Sequence, residues 1–364
     1  MVPATLRDVA KLAGVSSSTA SRALHGDGAR SVAADTQERI REAVRQLQYE
    51  PNAAAREMAH RADGPPRRTA SVGLILGTVA YKFSDPYWSP VIDGIDEELI
   101  RQGYHLQFTF TINDLKHRRQ RRMLSHAHVD GLILAGGMRP FGDAIGRART
   151  VVVEGGDDLL RRGPALTVDV IAAEKPRAMG RLVDHLVALG HRRMAFLGPA
   201  PERDERAEGF VQALHRHGLP CDPALLVASP WPTEDAYPIA DALLAERGHT
   251  IDAIVCGCDT IAIGAMRAAR GRGMRLPDDL AITGFDDIPF ARDTDPALTT
   301  VRVPKALMGE LAARKLIERL ANPTLSPIVQ IVPTTLVVRA SCGAPAEHPP
   351  GSLKGGDRQH SAQP

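Results

Sequence analysis

From Ser71 onward the 364-residue chain alternates short apolar runs with amphipathic stretches, and this alternation restricts the fold more than any other feature. SVGLILG precedes a helical pattern over residues 90–102, YHLQFTF precedes one over 116–126, and VDGLILA leads by a short connection to TVVVE. The rhythm resumes with a helix over 177–189, the run MAFLG, a helix over 205–215, the run DAIVC, a helix over 260–270 and the run LAITGF. Apolar runs separated by amphipathic helices predict parallel strands with crossover helices. The length accommodates two such sheets.

Composition narrows the class. Hydrophobic residues at 43% and charged residues at 24% exclude disorder along the whole chain. The longest apolar stretch, residues 72–81, is too short for a membrane span, which needs roughly 18 residues or more. Arg7, Asp8 and Lys11 interrupt the amino terminus where a secretory signal would be continuously apolar, so the cytoplasm is the expected compartment. Cys221, Cys256, Cys258 and Cys342 are too few for a disulfide framework in a chain of this length. The final segment, residues 341–364, is rich in Pro, Gly and Ser without apolar periodicity, and a disordered tail is expected there.

Residues 1–68 hold 11 Lys and Arg against 8 Asp and Glu, a mildly basic piece on a neutral body. Thr5 followed by Asp8 has capping-box spacing, and Leu6, Val9, Ala10 and Ala13 recur at i, i+3, i+4 and i+7, which predicts a first helix. Gly14 ends it. Ser16 is placed to cap a second helix whose Ala20, Ala23 and Leu24 face inward while Ser17, Ser18, Ser21 and Arg22 face out. Asp35 or Thr36 is the expected cap of a third helix carrying Ile40, Val44 and Leu47. The spacing is that of an all-α helix-turn-helix domain over residues 1–50, and the breaker-rich stretch 61–69 predicts a boundary behind it.

TLRDVAKLAGVSSSTASRAL and YEPNAAAREMA, followed in order by LVALGHRRMAFLGP, RAEGF, DTIAIGAMRAARGRGMRLPDDLAITGFDD and DPALTTVRVP, resemble the LacI/GalR family of transcription regulators. The resemblance covers residues 4 to about 340. It implies a hinge helix and linker over 51–69 and an α/β body over 70–340 like the periplasmic binding proteins, with two parallel-sheet subdomains and crossings near Asp169, Thr299 and Pro327. On double-stranded DNA it implies base reading by Ser17, Ser18 and Arg22, phosphate contacts by Thr5, Ser16, Thr19, Ser21 and Asn52, and a minor-groove wedge at Met58 where leucine is typical. The HGDGARS loop is about two residues longer than usual. A homodimer on a pseudo-palindromic operator is implied, and the tail lacks the leucine heptad that ties some relatives into tetramers.

The resemblance also implies a small-molecule effector, a sugar, between the subdomains. Arg206 of R-x-x-G-aromatic and Asp286 of G-aromatic-D-D match the positions that reach the ligand, a donor and an acceptor suited to vicinal hydroxyls. An ion pair between Arg206 and Asp286 is the plain structural alternative. Glu154 closes TVVVE where family sites carry a carboxylate, and Trp231 with Tyr87 or Trp88 is available as a flat wall. Cys258 and Val303 replace polar residues common in the family, which points to a smaller or less hydroxylated ligand.

Cys256 and Cys258 form a lone C-x-C that reads as apolar filler, so no metal and no cofactor are assigned. The competing reading is a solute-binding or sugar-metabolising protein on the same fold with a degenerate DNA-binding module. No dinucleotide turn, phosphate loop or nucleophile elbow supports an enzyme.

Overall fold

The computed structural model describes residues 5–24, 32–47, 69–77, 85–117, 129–136, 149–155, 168–199 and 204–344. The chain divides into two units, residues 1–68 and 69–364.

In the first unit α1 (Leu6–Ala13) opens with a reciprocal cap: the Thr5 amide donates to the Asp8 carboxylate at 2.8 Å and the Asp8 amide donates back to the Thr5 hydroxyl at 3.4 Å. These bonds hold the Asp8 carboxyl below its ordinary range. Gly14 ends the helix in the left-handed region at φ +66°, where a glycine carries no Cβ penalty. The Ser16 hydroxyl accepts from the Thr19 amide at 3.1 Å and starts α2 (Ser17–Leu24). The third helix, α3 (Ala34–Leu47), begins one residue before Asp35. Asp35 is therefore in the first turn rather than at the cap, still favourable beside the positive helix end. Val9, Ala13, Ile40 and Ala43 form the small core, with Ala23, Leu24, Val44 and Leu47 packed around it.

The second unit holds two parallel sheets. One is ordered β11-β5-β4-β3-β1-β2, from β1 (Ser71–Leu76), β2 (His105–Thr111), β3 (Gly131–Ala135), β4 (Arg149–Val153), β5 (Asp169–Ala173) and β11 (Val329–Val332). The other is ordered β7-β6-β8-β9, from β6 (Met194–Gly198), β7 (Leu226–Ala228), β8 (Ala253–Cys256) and β9 (Ala281–Thr283). The helices are α4 (Trp88–Arg101), α5 (Lys175–Ala188), α6 (Glu205–Arg216), α7 (Thr233–Arg247), α8 (Asp259–Gly271) and α9 (Lys305–Ala321). Of the helix expected over 116–126, residues 116 and 117 end a short 3-10 turn and the remainder lies outside the described residues.

An antiparallel ribbon of β10 (Thr300–Arg302) and β12 (Thr335–Val337) joins the subdomains. The chain leaves the first sheet after Ala173, returns between Arg302 and Lys305, and leaves again between Val332 and Thr335. Each passage is a few residues beyond the expected 169, 299 and 327. Asp169 belongs to β5, where its carboxylate pairs with Arg319 and caps the Ile328 amide, so that position is anchored in a sheet. The expected tail also starts too early, because Ser341 and Cys342 are fully buried and the Ser341 hydroxyl donates to the Ile282 carbonyl. Residues 345–364 lie outside the described residues.

Candidate functional site

Parallel strands bring their carboxyl ends to one edge, and ligands of open α/β sheets bind beyond those ends. Glu154 follows β4 directly, and Asp286 and Asp287 lie a few residues beyond β9. All three have left-handed backbones, at φ +58°, +109° and +50°. Side-chain-bearing residues held there cost about 1 to 3 kcal/mol each, so the surroundings must fix them.

Glu154 is fixed by both oxygens. One accepts from the Ala173 amide at 2.8 Å and the other meets the Lys175 ammonium at 2.5 Å. Lys175, first residue of α5, also lies 3.6 Å from Glu205 at the start of α6, so one buried cation joins carboxylates of the two subdomains. The half-buried Tyr87 stands close enough to Glu154 for that carboxylate to act on its phenol. Burial and the charges of Glu154 and Asp286 push that phenol well above its ordinary range, against the opposing influence of Arg206.

Arg206 is locked in a flat arrangement. Asp204 caps α6 by accepting from the Arg206 amide at 2.8 Å, and the same carboxylate takes Nε at 2.9 Å and Nη2 at 2.7 Å. Nη1 donates to the Gly257 carbonyl at 2.7 Å, and the guanidinium lies 4.7 Å from the Trp231 ring centroid and 5.7 Å from that of Phe285. Burial disfavours the charge, but Asp204 outweighs it and holds Arg206 protonated more firmly than usual. The Asp204 carboxyl is likewise held below its ordinary range by Arg206 despite burial. The alternative of a direct Arg206–Asp286 ion pair is not formed among the described residues, because the nearer Asp204 carboxylate has taken the guanidinium edge.

Asp286 is left exceptional. It is buried, and no side chain or amide among the described residues donates to its carboxylate. Burial pushes its pKa well above the ordinary range, partly countered by Arg206 and Lys305. The Lys305 ammonium donates to the backbone carbonyls of Asp286 and, at 3.3 Å, of Asp287, and lies 5.9 Å from the Tyr87 ring centroid. Cys258 precedes α8 with its thiol 3.0 Å from the Thr260 hydroxyl. Burial, with the Asp286 charge, pushes that thiol up to about 12, and burial raises Cys256 well above its usual value. Metal binding and redox chemistry need the thiolate, so filler is the reading these environments support.

Tyr87, Glu154, Arg206, Trp231, Cys258 and Asp286 are thus brought to one site. Trp88 is not. It is 7% exposed in the main core, edge-on to Tyr87 at 5.0 Å, because successive helical residues point about 100° apart and only one of the pair can face the cleft. Asp204, Lys175, Glu205 and Lys305 were not singled out from sequence. Asp204 had a signal, an aspartate at the cap of a helix beginning with Glu205. Lys305 had another, a lysine at a helix start, where a cation is disfavoured unless something holds it.

On the helix-turn-helix, Ser16, Ser17 and Ser18 are exposed and Thr19 and Ser21 half-buried, while the Thr5 hydroxyl is turned onto Asp8 at 2.6 Å. The Arg22 side chain, Asn52 and Met58 lie outside the described residues.

The description "Bacterial regulatory proteins, lacI family" matches residues 5–52, and "Periplasmic binding protein-like domain" matches residues 183–342. The HTH-type transcriptional regulator CelR of Thermobifida fusca is 30% identical over 343 residues, covering 93% of this chain and 98% of that protein. The ribose operon repressor of Haemophilus influenzae is 30% identical over 342 residues, again 93% and 98%. Among solved structures, a CelR–cellobiose complex superposes with a TM-score of 0.67 at 26% identity, covering 93% of this chain and 99% of that one. A lac repressor dimer bound to operator and an anti-inducer has the same fold, with a TM-score of 0.70 at 24% identity over 94% and 100% of the two chains. With both parts of the chain matched and full-length relatives aligned end to end, the chain belongs to the lacI family of bacterial transcriptional regulators.

Proposed function

We propose that this protein is a cytoplasmic, homodimeric repressor that binds a pseudo-palindromic operator and is controlled by an uncharged sugar held between the two subdomains. It acts by binding rather than by catalysis. The observation that carries the effector reading is Asp286, a buried residue whose carboxylate meets no hydrogen-bond donor among the described residues, beside a guanidinium that Asp204 immobilises over Trp231. A sugar hydroxyl donates to the carboxylate and accepts from an Arg206 N–H that Asp204 and Gly257 leave over, since a guanidinium carries five donors. Charge selects against phosphorylated or acidic ligands. Among the described residues, each cation of the cleft already has a partner: Lys175 pairs with Glu154 and Glu205, Arg206 with Asp204, and Lys305 donates to two carbonyls. Relatives support the class, as one is named for the ribose operon and another was solved with cellobiose.

The protein of this reading has no membrane partner, and no helix among the described residues is long and apolar enough to cross a membrane. The test is selection from random duplexes at moderate salt, which suppresses non-specific phosphate binding. A pseudo-palindrome is expected, with occupancy changing when a neutral sugar is added and unaffected by sugar phosphates. Arg22→Ala loses preference at one base position per half-site, a cost of roughly 1 to 3 kcal/mol. No enrichment with or without sugars would overturn the proposal.

A further inference from the structure

Lys305 occupies a place that disfavours a cation. It is the first residue of α9, where the helix exposes its unbonded N–H groups, and it is buried. Its ammonium reaches back to the carbonyls of Asp286 and Asp287, and the Tyr87 ring beside it marks the cleft wall. The segment it grips, residues 284–288, holds two aspartates in left-handed conformations that relax unless restrained.

Its other restraints come from the second subdomain and the ribbon. The Asp286 amide donates to the Val301 carbonyl at 2.8 Å, and the Ile288 amide to the Asp259 carboxylate at 2.8 Å. The Asp287 carboxylate accepts from Arg302 and from Arg339, each at 2.6 Å, and so grips β10 and the chain just beyond β12. Lys305 alone among these partners belongs to α9, which packs on α4 and on β3, β4 and β5 of the first subdomain.

We infer that Lys305 is the positioning residue of the cleft: by holding the Asp286 and Asp287 carbonyls it aims the Asp286 carboxylate at the ligand and carries the position of that loop to the first subdomain. This assignment rests on the cleft being the effector site. It makes the adjacent aspartates complementary, Asp286 facing the ligand and Asp287 gripping the ribbon, with one ammonium fixing the backbone of both.

The test uses the full-length, ligand-free protein as wild type, Lys305→Met and Lys305→Arg. Amide hydrogen exchange is read over residues 284–303, with β8 as an internal reference, because local opening is what a lost restraint promotes. Lys305→Met is expected to exchange about tenfold faster at residues 286–288 with β8 unchanged, and Lys305→Arg, which keeps a charged donor, to return close to wild type. Wild-type exchange in Lys305→Met, or an arginine variant as fast as the methionine one, overturns the proposal. Should Lys305→Met not fold, Lys305→Gln takes its place, with a shorter neutral donor and intermediate exchange expected, and wild-type exchange again overturning it. Calorimetry with cellobiose and ribose forms the second arm, where Lys305→Met is expected to weaken whichever sugar the wild type binds by about tenfold. Undiminished affinity overturns the positioning role. A wild type that binds neither sugar would count against the sugar reading, and the exchange arm, which needs no ligand, would still decide the role of Lys305.

Discussion

Asp204 takes Nε and Nη2 of Arg206 in a two-point pair, at 2.9 Å and 2.7 Å, and so, among the described residues, leaves the Asp286 carboxylate without a hydrogen-bond donor. The pair is buried on both sides. Removing one member of a buried pair strands the other charge at a cost of roughly 3 to 5 kcal/mol. Asp204→Asn is therefore expected to lower stability by a few kcal/mol in chemical denaturation. The freed guanidinium would turn toward Asp286 and fill the ligand's place, so calorimetric sugar binding should weaken as well. A variant of unchanged stability would show that Asp204 is not what holds Arg206.

Asp286→Asn should separate stability from response. The folded protein raises the Asp286 pKa, so ionising it above the ordinary carboxylate range costs folding free energy. The neutral variant is expected to melt at or above the wild-type temperature at pH 7. A hydrogen bond to a charged group is worth about 1.5 to 3 kcal/mol, so sugar affinity should fall by roughly tenfold to a hundredfold while operator binding persists. Normal sugar response in this variant would relocate the site.

Asp259 predicts a pH dependence. It is fully buried, accepts from Thr300 at 2.5 Å and from the Ile288 amide at 2.8 Å, and burial raises its pKa to about 7. A raised folded value means that the native state binds more protons. The associated stability is complete below the ordinary value of 3.8 and is lost as pH rises toward 7. Wild type should lose on the order of a few kcal/mol relative to Asp259→Asn between those limits. Denaturation of both proteins at pH 4, 5.5 and 7.5 checks this, and parallel curves would refute it.

Close packing of α4 on α9 gives a further expectation. A Cβ at Gly94 would stand 2.1 Å from the Ala306 carbonyl oxygen, and one at Gly309 would stand 2.1 Å from that of Val91. Backbone cannot yield as a side chain does. Gly94→Ala should cost about 1 to 3 kcal/mol by overpacking, measured by thermal unfolding. Because Ala306 adjoins Lys305, the same variant should also raise amide exchange over residues 284–288.

Much of the fold was legible. The caps at Thr5 and Ser16, the left-handed stop at Gly14 and the apolar strands follow from short-range periodicity and local hydrogen bonding. Helix α7 is not signalled in the sequence, and it carries Pro238 in its interior. Strands β10 and β12 are three residues long and exist through pairing with each other across more than thirty positions, which no local pattern signals.

In the site, Arg206, Asp286 and Glu154 were legible as residue types at motif positions. Their partners were not. Lys175, Asp204 and Lys305 matter through contacts with Glu154, Arg206 and the Asp286 carbonyl, and of these only the Asp204–Arg206 contact is close in sequence.

The sequence by itself determined the family, the helix-turn-helix, the two-sheet body and the residues that reach the cleft, because these depend on periodicity, caps and motif spacing along the chain. Tertiary structure alone decided which carboxylate takes the guanidinium, which aromatic faces the cleft and what restrains the loop bearing Asp286. Those outcomes are set by competition among buried charges, whose interactions in a poorly screened interior change steeply over a few ångströms, and such distances exist only once both subdomains have folded.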